Sequence, residues 1–435
     1  MGRGQLVLIV ALGVGGFAAP DASAAGDAVH WVTSWGTANM APDPSNVMPE
    51  ERWPDASLRQ LVHVSLGGTR LRVRISNLYG NAPLTIDAAT IARAVATGRA
   101  DLVPGSVRKL TFSGQDTVMI PAHGEYYSDP VSLPHSRGAD LAISLHYPEA
   151  PKGQTAHPGS RTTSFLAKGN HVADESWTDM EKFARWFQIA DIEVEAPVKV
   201  GAVSTIGDSI TDGHGATTDR NDRWPDQLMD RLAKAGITMG VVNTGIGGNR
   251  LLREGLGPNV VSRFDRDVIA RSSVTHVIVM IGVNDMGILH RNKEDSPAAR
   301  AQLVQDLESG YRQIVERAHA HGICVIGGTI NPYTDSDYYH PAAENESDRQ
   351  ALNTWIRSSG VFDAVADFDA VMRNPAKPAE MIPELDIGDH LHPSPAGFHA
   401  MADAVPLSAL KSCNRPAHAA ATTRSAIDAG ASKVR

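Results

Sequence analysis

The sequence predicts an α/β protein in which an antiparallel β-sandwich or jelly roll precedes a three-layer domain built on a parallel sheet. Up to about residue 195, short strands of alternating apolar and polar residues are separated by Gly, Pro and Asn turns. From about residue 198 to 410, continuous apolar runs alternate with segments of helical periodicity. Such runs are typical of parallel strands that helices cover on both faces. We therefore place the first domain at 28–195 and the second at 198–410.

The alternation in the first domain is clearest where Arg70, Arg72 and Arg74 alternate with apolar residues. This pattern predicts a strand with one buried face, and we interpret the arginines as its solvated face rather than as a ligand-binding patch. Gly67-Gly68 joins the strand to a preceding apolar run at 61–66, which predicts a β-hairpin.

The second domain contains five apolar, strand-like runs. Between the third and the fourth, the segment from Pro297 to His321 carries apolar residues at helical spacing and ends before Gly322. Parallel sheets of this kind bind ligands beyond the carboxyl ends of their strands, so residues that directly follow the runs are the candidates for a site. The five runs are 198–206, 239–243, 276–281, 323–330 and 362–368.

Polar motifs follow the first three runs, and a fourth motif lies near the end of the domain. In the first motif Ser209 stands between a strand and a helix, where its hydroxyl is placed to reach a substrate. A serine hydroxyl is a poor nucleophile without an adjacent base, and the motif alone also fits an ordinary turn. The four motifs are Gly207-Asp208-Ser209-Ile210-Thr211, Gly247-Gly248-Asn249, Gly282-Val283-Asn284-Asp285 and Asp389-His390-Leu391-His392.

The fourth motif supplies the base. His392 follows Asp389 by three residues, a spacing that lets the carboxylate hold one imidazole nitrogen while the other faces Ser209. His390 is the rival base, but its adjacency to Asp389 points the two side chains apart. A surface loop with incidental histidines and a metal site at His390 and His392 are the alternatives. We favour the Ser-His-Asp triad, because it explains residues in four separate loops and because no further residues are spaced to complete a zinc shell.

Three donors are predicted for the charge that develops on the substrate oxygen. They are the backbone N–H groups of Ser209 and Gly248 and the side-chain amide of Asn284. The glycines also fit a flexible turn, Gly247 competes with Gly248, and Asn284 also fits a helix cap. Arg250 suits either a substrate group or a structural salt bridge. The candidate substrate-binding residues are Asp208, Arg250 and Asp285.

These motifs resemble those of the SGNH, or GDSL, hydrolase superfamily, and the resemblance covers about residues 198–410. It implies a flavodoxin-like sheet, Ser209 as nucleophile, Gly248 and Asn284 as oxyanion donors, and His392 as base with Asp389. The sequence around the motifs is most similar to a branch that includes acetyl-xylan esterases, which implies acetyl esters of carbohydrates. Members of this branch often carry an N-terminal β-domain that opens in a Trp-containing segment like His30-Trp31-Val32-Thr33-Ser34-Trp35.

The net charge and the two ends of the chain limit the partners and the location that we expect for the protein. Forty Lys and Arg against 49 Asp and Glu give a net charge of −9 without a basic cluster, so we expect no nucleic-acid partner. Residues 1–24 fit an export signal with Arg3, an apolar run at 6–17 and the cleavage pattern Ala22-Ser23-Ala24. The apolar run is shorter than the ~20 residues of a membrane span. We expect a secreted or periplasmic protein with no membrane span after signal removal, and a disordered tail at 414–435.

The two cysteines, Cys324 and Cys413, are compatible with an oxidising compartment. Cys324 lies in an apolar run and fits a buried small hydrophobic residue. Whether it pairs with Cys413 stays open, because sequence does not define the geometry of a disulfide.

Taken together, the residues predict a serine esterase that cleaves short-chain acyl esters, with acetyl groups on carbohydrates as one substrate class. It is expected to act on small-molecule or carbohydrate esters without a metal or a cofactor. The alternatives are an acyltransferase with the same triad, a lipase or arylesterase of other substrate range, and a binding protein whose second domain is inactive. Every residue needed for acyl transfer lies beyond residue 200, so we expect the first domain to shape substrate access.

Overall fold

The computed structural model describes residues 1–2 and 28–412. The export signal predicted at 1–24 falls outside these residues except for its first two positions. The predicted tail at 414–435 and Cys413 also lie outside. The export signal and the tail therefore stay predictions, and the pairing of Cys413 stays open. In the described part of the chain, no helix combines the length and the apolar character needed to cross a bilayer.

The first domain is built from short antiparallel strands. They are β1 (Val29–Gly36), β2 (Ala56–His63), β3 (Gly68–Ser76), β4 (Leu84–Ile86), β5 (Ala88–Arg93), β6 (Arg108–Lys109), β7 (Val118–Ile120), β8 (Glu125–Tyr127), β9 (Val131–His135), β10 (Asp140–Tyr147), β11 (Ala156–His157), β12 (Ser164–Lys168), β13 (Glu181–Phe183), β14 (Trp186–Phe187) and β15 (Ile189–Pro197). A single 3-10 turn, Glu50–Arg52, precedes β2 among the described residues.

Two sheets of these strands share one hydrophobic core. The first has the order β1-β15-β3-β8, with β9 also paired to β3, and the second has the order β13-β12-β2-β10-β5-β6. Leu58 and Leu145 of the second sheet lie in the same fully buried cluster as Val73 and Ile192 of the first. The alternating pattern therefore places apolar residues of both sheets between them.

The predicted hairpin at Gly67-Gly68 is wrong. β2 pairs with β10 and β12 in the second sheet, whereas β3 pairs with β15, β8 and β9 in the first. The two glycines thus carry the chain from one sheet to the other. Alternation defines which face of a strand is buried, but it does not identify the neighbouring strand.

The arginines of β3 form a solvated face only in part. The side chain of Arg70 is 50% exposed, whereas Arg74 is buried and pairs with the buried carboxylate of Asp191. Arg271 of the second domain pairs with the same carboxylate. Our interpretation of a solvated face therefore fails at Arg74, because the second domain covers that end of the sheet.

The second domain contains five parallel strands and nine α-helices within the described residues, together with a π-helical turn (Asp265–Ile269) and a 3-10 turn (Pro383–Leu385). The strands are β16 (Ala202–Gly207), β17 (Gly240–Gly245), β18 (Val274–Met280), β19 (Cys324–Gly328) and β20 (Ala364–Ala366), and a small hairpin follows with β21 (Arg373–Asn374) and β22 (Lys377–Met381). The helices are α1 (Ser209–Asp212), α2 (Trp224–Lys234), α3 (Val260–Phe264), α4 (Val283–Arg291), α5 (Pro297–Ala320), α6 (Ala343–Ser358), α7 (Phe368–Met372), α8 (Pro395–Ala404) and α9 (Leu407–Lys411).

The order of the parallel sheet is β17-β16-β18-β19-β20, the doubly wound order of flavodoxin-like domains. Successive residues of β18 enter two different cores. Val277 and Val279 pack on the side of α5 and α6, whereas Ile278 and Met280 pack on the side of α2 and α8. The continuous apolar runs are thus explained by burial on both faces, and the predicted three-layer fold is confirmed.

The helix predicted between Pro297 and His321 is confirmed as α5. Its predicted apolar stripe, Leu303, Leu307, Tyr311, Ile314 and Ala318, is buried. Cys324 begins β19, is buried and is not a free thiol.

The two domains meet along β1 and β17. The Thr33 N–H donates to the carbonyl of Ser272 at 3.1 Å, and the Val241 N–H donates to the Ser65 hydroxyl at 2.8 Å. The guanidinium of Arg271, paired with Asp191, also donates to the carbonyl oxygen of Thr37 at 2.6 Å. These bonds join the first domain to the amino end of β17 and to the segment before β18. At the carboxyl edge, His157 and Arg161 of the first domain contact Asp212 and His214.

Candidate active site

Ser209 lies where β16 ends and α1 begins. The carboxylate of Asp208 caps α1 by accepting the N–H of Ile210 at 3.0 Å, which leaves Ser209 as the first helical residue. At Gly207 a Cβ atom would lie 2.4 Å from the carbonyl oxygen of Met280, so the close approach of β16 and β18 requires glycine there. This tight turn places the hydroxyl of Ser209 at the carboxyl edge of the sheet.

Ser209, His392 and Asp389 form a continuous line of hydrogen bonds. The Ser209 Oγ lies 2.8 Å from Nε2 of His392, and Nδ1 of His392 lies 2.6 Å from Oδ2 of Asp389. An ionised carboxylate only accepts, so Nδ1 carries the hydrogen and Nε2 is free to take the serine proton. The structure thus brings together three residues that are 180 and three positions apart in the chain.

The environment of Asp389 keeps its carboxylate ionised. Partial burial raises the pKa of Asp389, but the hydrogen bond from the His392 ring, the charge of that ring and two backbone N–H groups outweigh burial and lower this pKa to about 2. The backbone donors are Leu391 at 3.0 Å and His392 at 2.9 Å, both to Oδ1. Asp389 is therefore charged at any pH at which the enzyme would operate.

His390 points away from this line. Its Nδ1 bonds to Asp386 at 2.8 Å, its side chain is 51% exposed, and its backbone has a φ of 57°. The left-handed backbone at His390 turns two neighbouring histidines in different directions.

A group of three side chains in the described part of the chain has the spacing to hold a metal ion, namely His214, Asp389 and His392. Both ring nitrogens of His392 are already engaged by Ser209 and Asp389. A cation at this group would have to displace one of those two bonds. The predicted metal alternative at His390 and His392 does not correspond to this group, since His390 bonds to Asp386.

The glycine turn after β17 distinguishes Gly248 from Gly247. The Gly247 N–H donates to Oδ2 of Asp212 at 3.1 Å, whereas the Gly248 N–H has no hydrogen-bond partner among the described residues. Gly248 has a φ of 70°, and a Cβ there would lie 2.8 Å from Leu256. The geometry therefore leaves the Gly248 N–H available to a substrate oxygen, as the sequence predicts.

Asn284 presents one amide hydrogen to the cleft. Its Nδ2 donates to the carbonyl oxygen of Asn249 at 2.8 Å, and its Oδ1 accepts the hydroxyl of Tyr339. Because a carbonyl only accepts, these two partners determine which end of the amide is nitrogen. The helix-cap alternative is not seen, since Gly282 is the N-cap of α4 and Asn284 lies within the helix.

Two of the three predicted substrate-binding residues lie away from the cleft. Asp208 is buried and caps α1, and Asp285 is buried and accepts the N–H groups of Leu251 and Leu252 at 2.9 and 3.2 Å. Burial raises the pKa of Asp208 to about 7 and that of Asp285 to about 6. Their expected role is corrected to that of structural carboxyls, because both are occupied by backbone donors.

Arg250 does line the cleft. It forms no ion pair with any described residue, so its predicted salt-bridge alternative is not observed there. The cleft has a volume of about 400 Å³. Its walls are Ser209, His214, Gly247, Gly248, Arg250, Leu256, Asn284, Ile288, Tyr338, Tyr339, Asp389, Leu391 and His392.

Sequence reasoning missed four residues around the site. Tyr339 orients Asn284 and packs against α4, where a Cβ on Gly287 would lie 2.5 Å from its ring. The ring of His214 lies 4.1 Å from that of His392. Nδ1 of His214 accepts a hydrogen bond from the guanidinium of Arg161, a residue of the first domain, at 3.0 Å. Tyr339 lies nine residues beyond the fourth apolar run, so its position after a strand could have indicated it. The fourth residue is His157 of the first domain, which contacts Asp212. Nothing local in the sequence marks His157 or Arg161.

The part of the chain that carries this site matches a known family. Residues 205–400 match the model of the GDSL-like Lipase/Acylhydrolase family. The second domain is therefore a GDSL-like lipase/acylhydrolase domain. A domain of this family supports a carboxylic ester hydrolase.

Solved structures similar to this chain include three with descriptive names. A carbohydrate acetylesterase family member from Sinorhizobium meliloti is 17% identical over 48% of this chain and 98% of that chain, with a TM-score of 0.37. An acetyl xylan esterase from Geobacillus stearothermophilus is 22% identical over 48% of this chain and 94% of that chain, with a TM-score of 0.35. A GDSL-like lipase from Bacteroides thetaiotaomicron is 20% identical over 48% of this chain and 88% of that chain, with a TM-score of 0.36. Each similarity spans about half of this chain. No curated protein matches it.

Proposed function

We propose that the protein is a serine esterase that hydrolyses short-chain acyl esters through Ser209, His392 and Asp389. The observation that carries this proposal is the line of hydrogen bonds from Ser209 to Asp389 at the floor of an open cleft. A serine with a neutral imidazole at 2.8 Å is an activated nucleophile.

In the first half-reaction, Ser209 Oγ attacks the ester carbonyl while His392 Nε2 takes its proton. The N–H groups of Ser209 and Gly248 and the free amide hydrogen of Asn284 bind the oxyanion of the tetrahedral intermediate. The charged Asp389 stabilises the imidazolium that forms. His392 then returns the proton to the leaving alcohol, and an acyl-Ser209 ester remains.

Water reverses these steps in the second half-reaction. His392 takes a proton from the water, the hydroxide adds to the acyl carbonyl, and the proton passes to Ser209 Oγ as the acid leaves. Each step balances with the ester, water and these side chains alone.

The cleft favours a short acyl group on a bulky alcohol such as a sugar. Its volume of about 400 Å³ is near the lower end of the range for small-molecule sites. Tyr338 and Leu256 line its rim, and their side chains are 53% and 48% exposed. An exposed aromatic ring offers a surface for a sugar ring, and the unpaired guanidinium of Arg250 offers donors to its hydroxyl groups.

We further propose that the protein acts outside the cytoplasm. The proposal rests on the signal pattern of residues 1–24, which ends in Ala22-Ser23-Ala24. N-terminal sequencing of protein recovered from the periplasm or the medium tests it, with Ala25 expected as the first residue. An intact Met1 on cytoplasmic protein contradicts it.

The catalytic proposal is tested with Ser209→Ala on acetylated polysaccharides and on aryl esters of increasing acyl length. We expect kcat for every ester to fall by about 10⁴ or more in a folded protein, because loss of a triad member removes the covalent route. The wild-type protein should prefer acetyl and propionyl esters. A folded Ser209→Ala protein with wild-type turnover would refute the serine mechanism.

A further inference from the structure

We infer that His157 and Asp212 form a positioning pair through which the first domain orients the Gly247–Gly248 turn and so controls kcat. This inference rests on the proposed esterase function. It assigns to the first domain a role in catalysis beyond the substrate access that the sequence predicts.

Asp212 connects the serine helix to the glycine turn. It is the last residue of α1, and its side chain is 5% exposed. Its Oδ2 accepts the N–H of Gly247 at 3.1 Å, and its Oδ1 contacts Nε2 of His157 at 2.8 Å. One buried carboxylate therefore joins the helix of Ser209, the turn that carries Gly248 and a side chain of the other domain.

His157 holds that carboxylate from the first domain. Its side chain is 4% exposed, and its ring stacks on Trp186 with a centroid distance of 5.7 Å. Its Nδ1 donates to the carbonyl oxygen of Ala38 at 2.9 Å. Since this carbonyl and the Asp212 carboxylate both accept, both ring nitrogens carry hydrogen when Asp212 is ionised. Both ring nitrogens of His157 and both carboxylate oxygens of Asp212 are thus hydrogen-bonded inside the protein.

The pair acts on a segment that needs external support. Two consecutive glycines have broad conformational freedom, and Gly248 must hold a φ of 70° to present its N–H. The bond from Asn249 N–H to the Ile246 carbonyl at 3.1 Å closes the turn on itself, whereas the Asp212 bond to Gly247 and the bond from Ile246 N–H to the Gly207 carbonyl at 3.1 Å hold it from outside. Loss of the Asp212 bond displaces the Gly248 N–H from the oxyanion, and such donors act only when accurately placed.

The experiment measures kcat and KM for an aryl acetate with six variants of the full chain, one of which is a control. Asp212→Ala should lower kcat about 10- to 100-fold with little change in KM, because the oxyanion bond forms only in the transition state. Asp212→Asn should restore kcat to within about threefold of wild type, since an amide Oδ1 still accepts from Gly247 and Nδ2 donates to a neutral His157.

The double variant His157→Ala/Asp212→Ala decides whether His157 acts through Asp212. We expect its kcat to equal that of Asp212→Ala alone, because the two changes break one connection. His157→Ala should itself lower kcat, and His157→Gln should recover part of the loss through a side-chain N–H to Asp212. Asp191→Asn, which weakens another buried ion pair between the domains, serves as the control. It should lower Tm without lowering kcat at a temperature at which it is folded.

Several results would overturn the inference. These are a folded Asp212→Ala or His157→Ala protein with wild-type kcat, no recovery in Asp212→Asn, independent losses in the double variant, or an equal loss of kcat in Asp191→Asn. If Asp212→Ala does not fold, the inference is tested by comparing the kcat of His157→Ala with that of His157→Gln, and no recovery of kcat in His157→Gln would overturn it. A wild-type protein that hydrolyses no ester refutes the proposed function, whereas an active wild type with unaffected variants refutes only the pair.

Discussion

The two domains contribute to the cleft in different ways. The second domain supplies the atoms of the proposed chemistry from loops after β16, β17 and β18 and from the loop before α8. The first domain supplies His157 and Arg161 from one short segment, and they contact Asp212 and His214 rather than the space for the substrate. The carboxyl edge of a parallel sheet collects reactive groups, and a packed sandwich beside it orients them.

The largest difference is expected between two histidines of the second domain. His392→Ala should reduce kcat by about 10⁴, because Ser209 then lacks a base. His390→Ala should keep kcat within about threefold of wild type, since its ring bonds only to Asp386 at the surface. Steady-state kinetics on an aryl acetate measure both. Equal losses, or a larger loss at His390, would reverse the assignment of the base.

The next difference separates the two glycines of the turn. Gly248→Ala should lower kcat about 100-fold, because a Cβ at a φ of 70° meets Leu256 at 2.8 Å and shifts an oxyanion donor. Gly247→Ala should cost less than about tenfold, because its Cβ has only an ordinary contact with Asp212 at 3.5 Å. Similar kcat values for the two folded variants would show that the Gly248 N–H is not a donor.

A smaller, pH-dependent effect is expected from Arg161 of the first domain. Burial, followed by the charges of His392 and Arg161, lowers the pKa of His214 to about 4, so its ring is neutral at pH 7. In Arg161→Gln the pKa of His214 should rise, and a protonated His214 would oppose the imidazolium of His392. We expect kcat to fall several-fold at a pH of about 5 and to change less than about twofold at a pH of about 8. Parallel pH–rate profiles for both proteins would contradict this effect.

The smallest effect concerns stability rather than rate. Burial raises the pKa of Asp208 from 3.8 to about 7. A carboxyl group whose pKa is higher in the folded than in the unfolded protein stabilises the fold fully at pH values below its unfolded pKa. This stabilisation is lost as the pH rises through its folded pKa. Asp208→Asn still caps α1 but has no such titration, so its free energy of unfolding should increase relative to wild type between a pH of about 4 and 7. Urea unfolding at several pH values measures this difference, and a pH-independent difference would contradict it.

The sequence alone predicts most of the second domain, because its signals are local. The buried stripe of α5 follows from helical spacing between Leu303 and Ala318, and the parallel sheet follows from continuous apolar runs. The side chains that the sequence places after the strands, such as Ser209 and Asn284, lie in one cleft because parallel strands end at one edge.

Where local signals misled us, a partner distant in sequence was responsible. The Gly67-Gly68 pattern fits a hairpin, but the pairing partners of β2 and β3 lie about 50 or more residues away. Arg74 follows the same alternation as Arg70, yet Arg271 covers its end of the sheet. Asp208 and Asp285 stand inside the motifs, and only their burial and backbone donors show that they do not face the cleft.

Periodicity and spacing are properties of short segments, and they predict the class of fold, the order of the motifs and the residue types that acyl transfer needs. The folded chain is needed to show which glycine N–H stays available, how Tyr339 orients Asn284, and that His157 reaches Asp212 from another domain. Those outcomes depend on contacts between residues 35 to 55 positions apart or on the conformation of one turn, and packing rather than local pattern sets both.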